Sequence, residues 1–120
     1  MALIVAQPII DKSDHILQIC QKLLKKAPLN SDQRVDIETI QEATRLFKAY
    51  VRIEVDRLSD EDDSAKKRVR HQLRNHVNII VGFSQLMIKE LPDNLLLEMA
   101  SIRQIYKLGE SLHVEVDLIQ

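Results

Sequence analysis

Residues 70–87 read RHQLRNHVNIIVGFSQLM, and this stretch decides how the chain folds. On an α-helix each residue turns by about 100°, which separates the polar and apolar residues of this region onto opposite sides. The polar strip comprises His71, Asn75, Asn78, Gly82, Gln85 and Lys89, and the apolar side comprises Val69, Leu73, Ile80, Met87 and Leu91. Such a helix buries its apolar side in a bundle and leaves an imidazole open to other proteins.

The composition of the 120 residues favours long helices. Two glycines and three prolines supply few turns, and the dominant Leu, Ile, Glu, Lys, Arg and Gln support helix. We therefore predict an all-α fold, an elongated antiparallel helical bundle with four helices per chain. The length fits one domain, or one domain with a helical extension.

Charge and hydropathy exclude several classes of partner. A formal net charge of −1 argues against nucleic-acid binding. Residues 1–10 are apolar but lack a basic start and are broken by Gln7 and Pro8, so they predict neither a signal peptide nor a membrane span. We interpret them as an extended tail or a cut edge of a larger protein. Cys20 is the only cysteine, which excludes an internal disulfide and fits a small core residue in a cytoplasmic protein.

Apolar periodicity predicts four helices. Their expected bounds are residues 13 or 14 to 26, 31–58, 63 or 64 to 91, and 95–120, with a break at 59–64. Asn30 and Gln33 have the spacing of a capping box for the second helix, and Asp93 or Asn94 is expected to cap the fourth.

The apolar seams allow two assemblies. The chain closes its own four-helix bundle, or helices three and four of two chains form one across a dimer axis. Residues 1–60 are then either a second helical pair that packs on the first or a signalling extension.

Few kinds of catalytic chemistry are open to this sequence. Gly82 and Gly109 are the only glycines, so no glycine-rich phosphate loop exists. His71 and Asn75 lie four residues apart, but no second histidine or carboxylate completes a metal set. We therefore predict no metal and no cofactor in this chain. Nucleophilic attack by an imidazole on a phosphoryl group remains, because an unperturbed histidine titrates near neutral pH.

A longer motif resembles a known family. His71-Gln72-Leu73-Arg74-Asn75, followed by Asn78, Ile80, Gly82-Phe83-Ser84 and Leu86, resembles the H-box of sensor histidine kinases. The resemblance covers about residues 64–119 and implies that residues 61–120 form the dimerisation and histidine-phosphotransfer hairpin. It also implies that His71 is the phosphoacceptor, that the chain is a homodimer, and that response-regulator receiver domains are its partners. ATP would enter only through a separate kinase domain.

The sequence departs from the family in three places. Gln72 replaces the usual Glu or Asp that acts as a base, and an amide cannot take a proton. His76 replaces a proline that often kinks this helix, and we expect His76 to be packed or hydrogen-bonded. Third, the 120 residues contain no ATP-binding catalytic domain after this region. Asn75 matches a position at which the family uses Thr or Asn to position a water or phosphate.

The partner-docking surface is predicted on the same helix. Its candidate residues are Lys67, Arg68, Arg74, Asn78, Gly82 and Gln85. Gly82 has two interpretations: its missing side chain lets a partner approach, or it relieves crowding against a neighbouring helix. The basic run Lys66 to Arg74 is either a solvated helix start or part of this docking surface.

Two functions are consistent with the sequence. The first is a two-component signal transduction module in which His71 accepts and passes a phosphoryl group to or from a receiver. The alternative is a phosphorylation-inactive scaffold with the same fold, which binds a receiver or regulates an attached output domain. Gln72 is the main support for the alternative.

Overall fold

The computed structural model describes residues 2–58 and 62–119, and these contain helices and no strand. The fold of the described residues is therefore all-α, as the sequence predicts. The helices are α1 (Ala2–Lys26), α2 (Ser31–Glu54), α3 (Asp63–Glu90) and α4 (Leu96–Asp117), and one 3₁₀ turn (Val55–Arg57) follows α2.

The four helices close a bundle within one chain. Each helix packs against the next, and α1 also packs against α4. One hydrophobic cluster draws on all four, with Ile16, Phe47, Ile80 and Ile105 each fully buried. The molecule measures 52 × 21 × 19 Å, which is the elongated shape expected of helices this long. The single chain thus covers the apolar side of α3 with its own helices.

The buried side and the exposed side of α3 are those that the sequence predicts. Val69, Leu73 and Ile80 are fully buried, and Met87 and Leu91 are nearly so. The polar strip from His71 to Lys89 is exposed along its length. Burying an aliphatic side chain of this size contributes about 1.5–3 kcal/mol, so this seam fixes the rotation of α3 about its axis.

The expected tail at residues 1–10 is wrong. Helix α1 begins at Ala2 and continues through Pro8. Pro8 removes one backbone hydrogen bond, but Ala6 and Ile9 on either side of it are buried in the core, and that burial offsets the loss. Ser13, an expected start, lies inside the helix, where its hydroxyl donates to the carbonyl of Ile9 at 2.8 Å.

The predicted capping box of α2 is confirmed. The Asn30 side chain accepts from the backbone N–H of Gln33 at 2.8 Å, and the Gln33 side chain accepts from the N–H of Asn30 at 2.9 Å. Helix α2 gives way to the 3₁₀ turn after Glu54, a few residues before the predicted end at residue 58.

A side chain from α2 satisfies the end of α1. The carbonyl of Leu24 would normally accept from the N–H four residues later, but that residue is Pro28, which has none. The Arg34 guanidinium donates to this carbonyl instead, at 2.6 Å. The contact therefore holds the last turn of α1 against the first turn of α2.

The starts of α3 and α4 differ in how they are capped. Asp62 caps α3 and accepts from the N–H of Ala65 at 2.9 Å; part of the predicted break, residues 59–61, lies outside the described residues. Neither Asp93 nor Asn94 caps α4, which is a correction. Leu95 holds that position without a side-chain cap, and its N–H donates to the carbonyl of Pro92 at 3.1 Å. Leu95 packs against the core, so apolar contact selects this start.

Helices α3 and α4 approach each other at Gly109. A Cβ at this position would lie 2.8 Å from Cγ2 of Val81 and 3.4 Å from Cγ2 of Ile80, whereas a Cβ at Gly82 would meet nothing within 4 Å. The interpretation that Gly82 relieves helix crowding is therefore wrong. That role belongs to Gly109, because only a glycine allows this contact without displacing a stiff β-branched side chain.

The two glycines form a matched pair for a stability test. We expect Gly82→Ala to raise the free energy of unfolding by about 0.5–1 kcal/mol, since alanine is the better helix former and the site is open. We expect Gly109→Ala to lower the free energy of unfolding by about 1 kcal/mol, because overpacking against Val81 costs more than the better helix propensity of alanine contributes. Urea unfolding measures both. Adding Val81→Ala to the Gly109→Ala variant should restore stability, because it removes the side chain that the new Cβ meets. If Gly82→Ala and Gly109→Ala stabilise the protein equally, the close approach of α3 and α4 at Gly109 is contradicted.

Cys20 is the predicted core cysteine, with no exposed surface. Burial raises the pKa of its thiol from 9.0 to about 12. We expect an aromatic disulfide reagent to modify it only after unfolding. Between about pH 9 and 12 the unfolded chain releases the thiol proton and the folded chain keeps it, so stability falls as pH rises, by up to about 1.4 kcal/mol per unit. A Cys20→Ala variant should lose this part of the alkaline slope, and equally fast modification of the folded and unfolded chains would contradict the burial.

Candidate functional site

His71 lies on the exposed side of α3, in the half of the helix nearer its start. Its neighbours one turn away, Lys67 and Asn75, are exposed as well. Side chains four residues apart on a helix have Cβ atoms about 5–6 Å apart, so a cation and an amide flank the imidazole. Within the described residues His71 makes no hydrogen bond or ion pair. The ring is therefore open to a group that approaches from outside.

The exposed strip continues from His71 toward the end of α3. Asn78, Gly82 and Gln85 follow at three- and four-residue spacing, and all are exposed. From Lys67 to Gln85 the strip is about 27 Å long at 1.5 Å per residue. The structure thus brings most of the predicted docking residues onto one face of one helix.

Arg74, a predicted docking residue, is held by α4. Its Nε and Nη2 atoms donate to Oδ1 of Asp117 at 2.9 and 2.6 Å. Arg70 donates to the carbonyl of Ile119 at 2.6 Å. Cations at a helix C-terminus interact favourably with its unsatisfied carbonyls, so these two arginines fasten the end of α4 to α3.

The basic run is therefore divided between structure and surface. Lys66 is buried, with 7% of its surface exposed, whereas Lys67 and Arg68 are exposed. Only the latter two, together with the half-exposed Arg74, offer positive charge next to His71. This division follows from the helical period, which turns successive residues toward different neighbours.

His76 is packed and hydrogen-bonded, as predicted. Its Nδ1 lies 3.0 Å from the carbonyl oxygen of Gln72. Since a carbonyl only accepts, Nδ1 carries the proton. The ring also lies 6.3 Å from the Tyr50 ring of α2, tilted by 38°. Burial, with the carboxylate of Glu54 as a smaller cause, raises the pKa of Tyr50.

The backbone of α3 is continuous at His76, where the family that the sequence resembles often has a proline. The helix runs without interruption from Asp63 to Glu90, and His76 supplies the backbone N–H that a proline lacks. Gln72 and Asn75 are both exposed. The Asn75 amide, one turn after His71, has the hydrogen-bonding groups to position a water or phosphate oxygen.

Two shallow grooves lie beside the polar strip, and neither was predicted from the sequence, although Asn78 and Gly82 of the first were predicted docking residues. The first is lined by Asn78, Ile79, Gly82, Phe83 and Leu86. The second lies between α2 and α3 and shares Ile79, and it is lined by Val35, Glu38, Thr39, Glu42, Ala43, Leu46, His76 and Ile79. Val35 and Leu46 are apolar residues that share one side of α2 but lie outside its core stripe. Apolar residues at such positions are the sequence signal that could have revealed the second groove.

The described residues contain no group of three or more His, Cys, Asp or Glu side chains that could hold a metal ion. Across residues 2–58 and 62–119, no helix has the length and apolar character needed to cross a membrane.

The continuity of α3 at His76 predicts a graded effect of substitution. We expect His76→Ala to lower the free energy of unfolding by about 1 kcal/mol, because the ring contact and one hydrogen bond are lost. We expect His76→Pro to lower it by about 3 kcal/mol or more, since proline also removes a backbone hydrogen bond and clashes with the preceding turn. Chemical denaturation of both variants measures the difference. If the proline variant is as stable as the alanine variant, α3 tolerates a proline kink at this position.

Comparison with known proteins adds no relative to this picture: no protein-family model, no curated protein and no solved structure matches the chain.

Proposed function

We propose that this chain is a phosphotransfer module of a two-component system, with His71 as the phosphoacceptor. One observation supports the proposal above the others. The His71 imidazole is exposed and has no hydrogen bond to any described residue, and it lies on a polar strip whose opposite side is buried in a closed bundle. A rigid helix that displays a free imidazole suits a reaction in which a partner must reach the ring.

In this proposal α3 and α4 form the antiparallel hairpin of the histidine-phosphotransfer fold. Two contacts support that direction. Arg74, in the first half of α3, pairs with Asp117 near the end of α4. Val81, farther along α3, meets Gly109, which comes earlier in α4.

The proposed reaction is transfer between a receiver aspartate and His71. A ring nitrogen attacks the phosphorus of the aspartyl phosphate, an N–P bond forms, and the P–O bond to the aspartate breaks. The aspartate leaves as a carboxylate, and the ring N–H proton passes to water. The reverse reaction returns the phosphoryl group to the receiver. Lys67 and Arg68 attract the incoming phosphoryl oxygens through their positive charge.

The receiver domain docks along the polar strip in this proposal. Asn78 and Gln85 offer amide hydrogen bonds, and Gly82 leaves open space between them. A separate kinase domain would supply phosphoryl groups from ATP. The cytoplasm, where receivers act, is the proposed location.

Gln72 favours the second candidate, a scaffold that binds a receiver without being phosphorylated. Its amide occupies the position next to His71 and cannot accept a proton. The docking face is the same in both proposals, so the difference lies in the chemical step alone.

The test uses the whole chain and isolated receiver domains charged at their aspartates with phosphoramidate. We expect an acid-labile phosphohistidine, identified by mass spectrometry, that is absent from His71→Ala. His15→Ala is the matched control, since His15 is also exposed, and it should keep the modification. We expect Gln72→Glu to raise the transfer rate by about tenfold or more, because it supplies a base.

The outcomes separate the two candidates. Phosphohistidine at another residue, or on no residue, contradicts phosphotransfer by His71. If receivers nevertheless bind the wild type and His71→Ala with equal affinity, the scaffold function is supported. If no receiver binds or reacts, both candidates fail.

A further inference from the structure

One face of the bundle carries large apolar side chains that no helix of the chain covers. Val35, Leu46 and Ile53 on α2 are 57%, 51% and 51% exposed, and Ile79 and Leu86 on α3 are 39% and 41% exposed. We name this surface the α2–α3 face. Contiguous exposed apolar side chains of this kind mark interaction sites on soluble proteins.

The spacing of these residues makes the face a straight stripe. Leu46 and Ile53 lie about two helical turns apart, and Val35 lies about three turns before Leu46. Ile79 and Leu86 are likewise about two turns apart. Leu46 and Ile79 line the same groove, which places the two stripes side by side.

The exposed apolar stripes form the centre of a candidate protein interface. From Val35 to Ile53 the stripe on α2 is about 27 Å long, and from Ile79 to Leu86 the stripe on α3 is about 10 Å long. The axes of two packed helices lie about 8–10 Å apart. A standard interface buries about 800 Å² on each partner, so a dimer of that size also covers polar side chains around the stripes.

Charge along α2 changes sign from one end of the face to the other. Glu38 and Glu42 lie in its first half, and Arg52 lies in its second half; all three are exposed. Glu38 and Arg52 stand at nearly equal distances on either side of Leu46 and Arg45. A face with this polarity is complementary to its own copy when the two are turned end to end.

We propose that a second copy of this chain covers the α2–α3 face. The two-fold axis lies in the interface, perpendicular to the helices and close to Leu46, so that α2 of each copy packs antiparallel to α2 of the other. Glu38 then faces Arg52 of the second copy. Val35 lies within about 3 Å of the level of Ile53 along the helix axes, and Leu46 lies equally near the level of its own equivalent. Arg45, near the axis, is already paired with Glu42 at 3.8 Å.

This surface differs from the seam between hairpins that the sequence resemblance implies. The chain buries the apolar side of α3 under its own helices, and Leu73 and Ile80 have no exposed surface. A second hairpin could reach that seam only by displacing α1 and α2. The α2–α3 face needs no such opening, and its use does not depend on whether His71 is phosphorylated.

Sedimentation velocity over chain concentrations from about 1 to 200 μM tests the proposal. We expect a concentration-dependent dimer. Leu46→Glu places two like charges at the axis and should raise the dimer dissociation constant by about tenfold or more. Val114→Glu is the matched control, because Val114 is 63% exposed on α4, and this variant should associate as the wild type does.

A charge exchange gives a second, independent measurement. Glu38→Arg and Arg52→Glu should each weaken the dimer, and the double variant should restore it, since both changes meet across the two-fold axis. Circular dichroism checks that every variant is folded. A monomer at all concentrations overturns the proposal, as does a dimer that Leu46→Glu leaves unchanged. A dimer in which the double variant is no stronger than the single ones overturns the end-to-end arrangement.

Discussion

The burial of one side of α3 is the constraint on which the rest of the molecule depends. Leu73 and Ile80 are fully enclosed by the other helices of the same chain, and a helix that buries one side must present the other to solvent. The exposure of His71 is therefore a consequence of core packing and needs no special local structure. Rotating α3 by a third of a turn would expose aliphatic side chains at a cost of several kcal/mol. The same contacts that stabilise the fold hold the imidazole outward.

His76 shows how the helix accommodates a departure from the family pattern it resembles. A proline at this position would interrupt the backbone ladder, whereas His76 keeps the ladder and adds a side-chain bond to the carbonyl of Gln72. The ring also packs near Tyr50, so α2 and α3 are joined at the level of the proposed site. Gln72 and His76 are thus two departures from the pattern of the family that the sequence resembles, one at the position of a base and the other at the position of a proline. His76 keeps the backbone of α3 continuous at this position.

The sequence predicted the helices wherever periodicity and capping agreed. The buried seam of α3 and the capping box at Asn30 and Gln33 belong to this class, because each depends on residues close together along the chain. The start of α1 was missed because a local breaker, Pro8, was outweighed by burial of Ile9 on distant helices. The pairing of Arg74 with Asp117 and the contact of Gly109 with Val81 join residues far apart in sequence. No local pattern encodes such contacts. The sequence therefore predicted Arg74 to be a docking residue or part of a solvated helix start, and it allowed that Gly82 relieves crowding.

The closure of the bundle within one chain separates folding from association. Obligate dimers have no stable folded subunit, and their stability changes with protein concentration. Here each helix finds its neighbours in the same polypeptide, so the bundle does not need a second chain to bury its apolar sides. Its contacts with other proteins, whether copies or partners, can then form and break on demand without unfolding the chain. A surface of this kind is suited to exchange between partners, because each partner meets a preformed helix face.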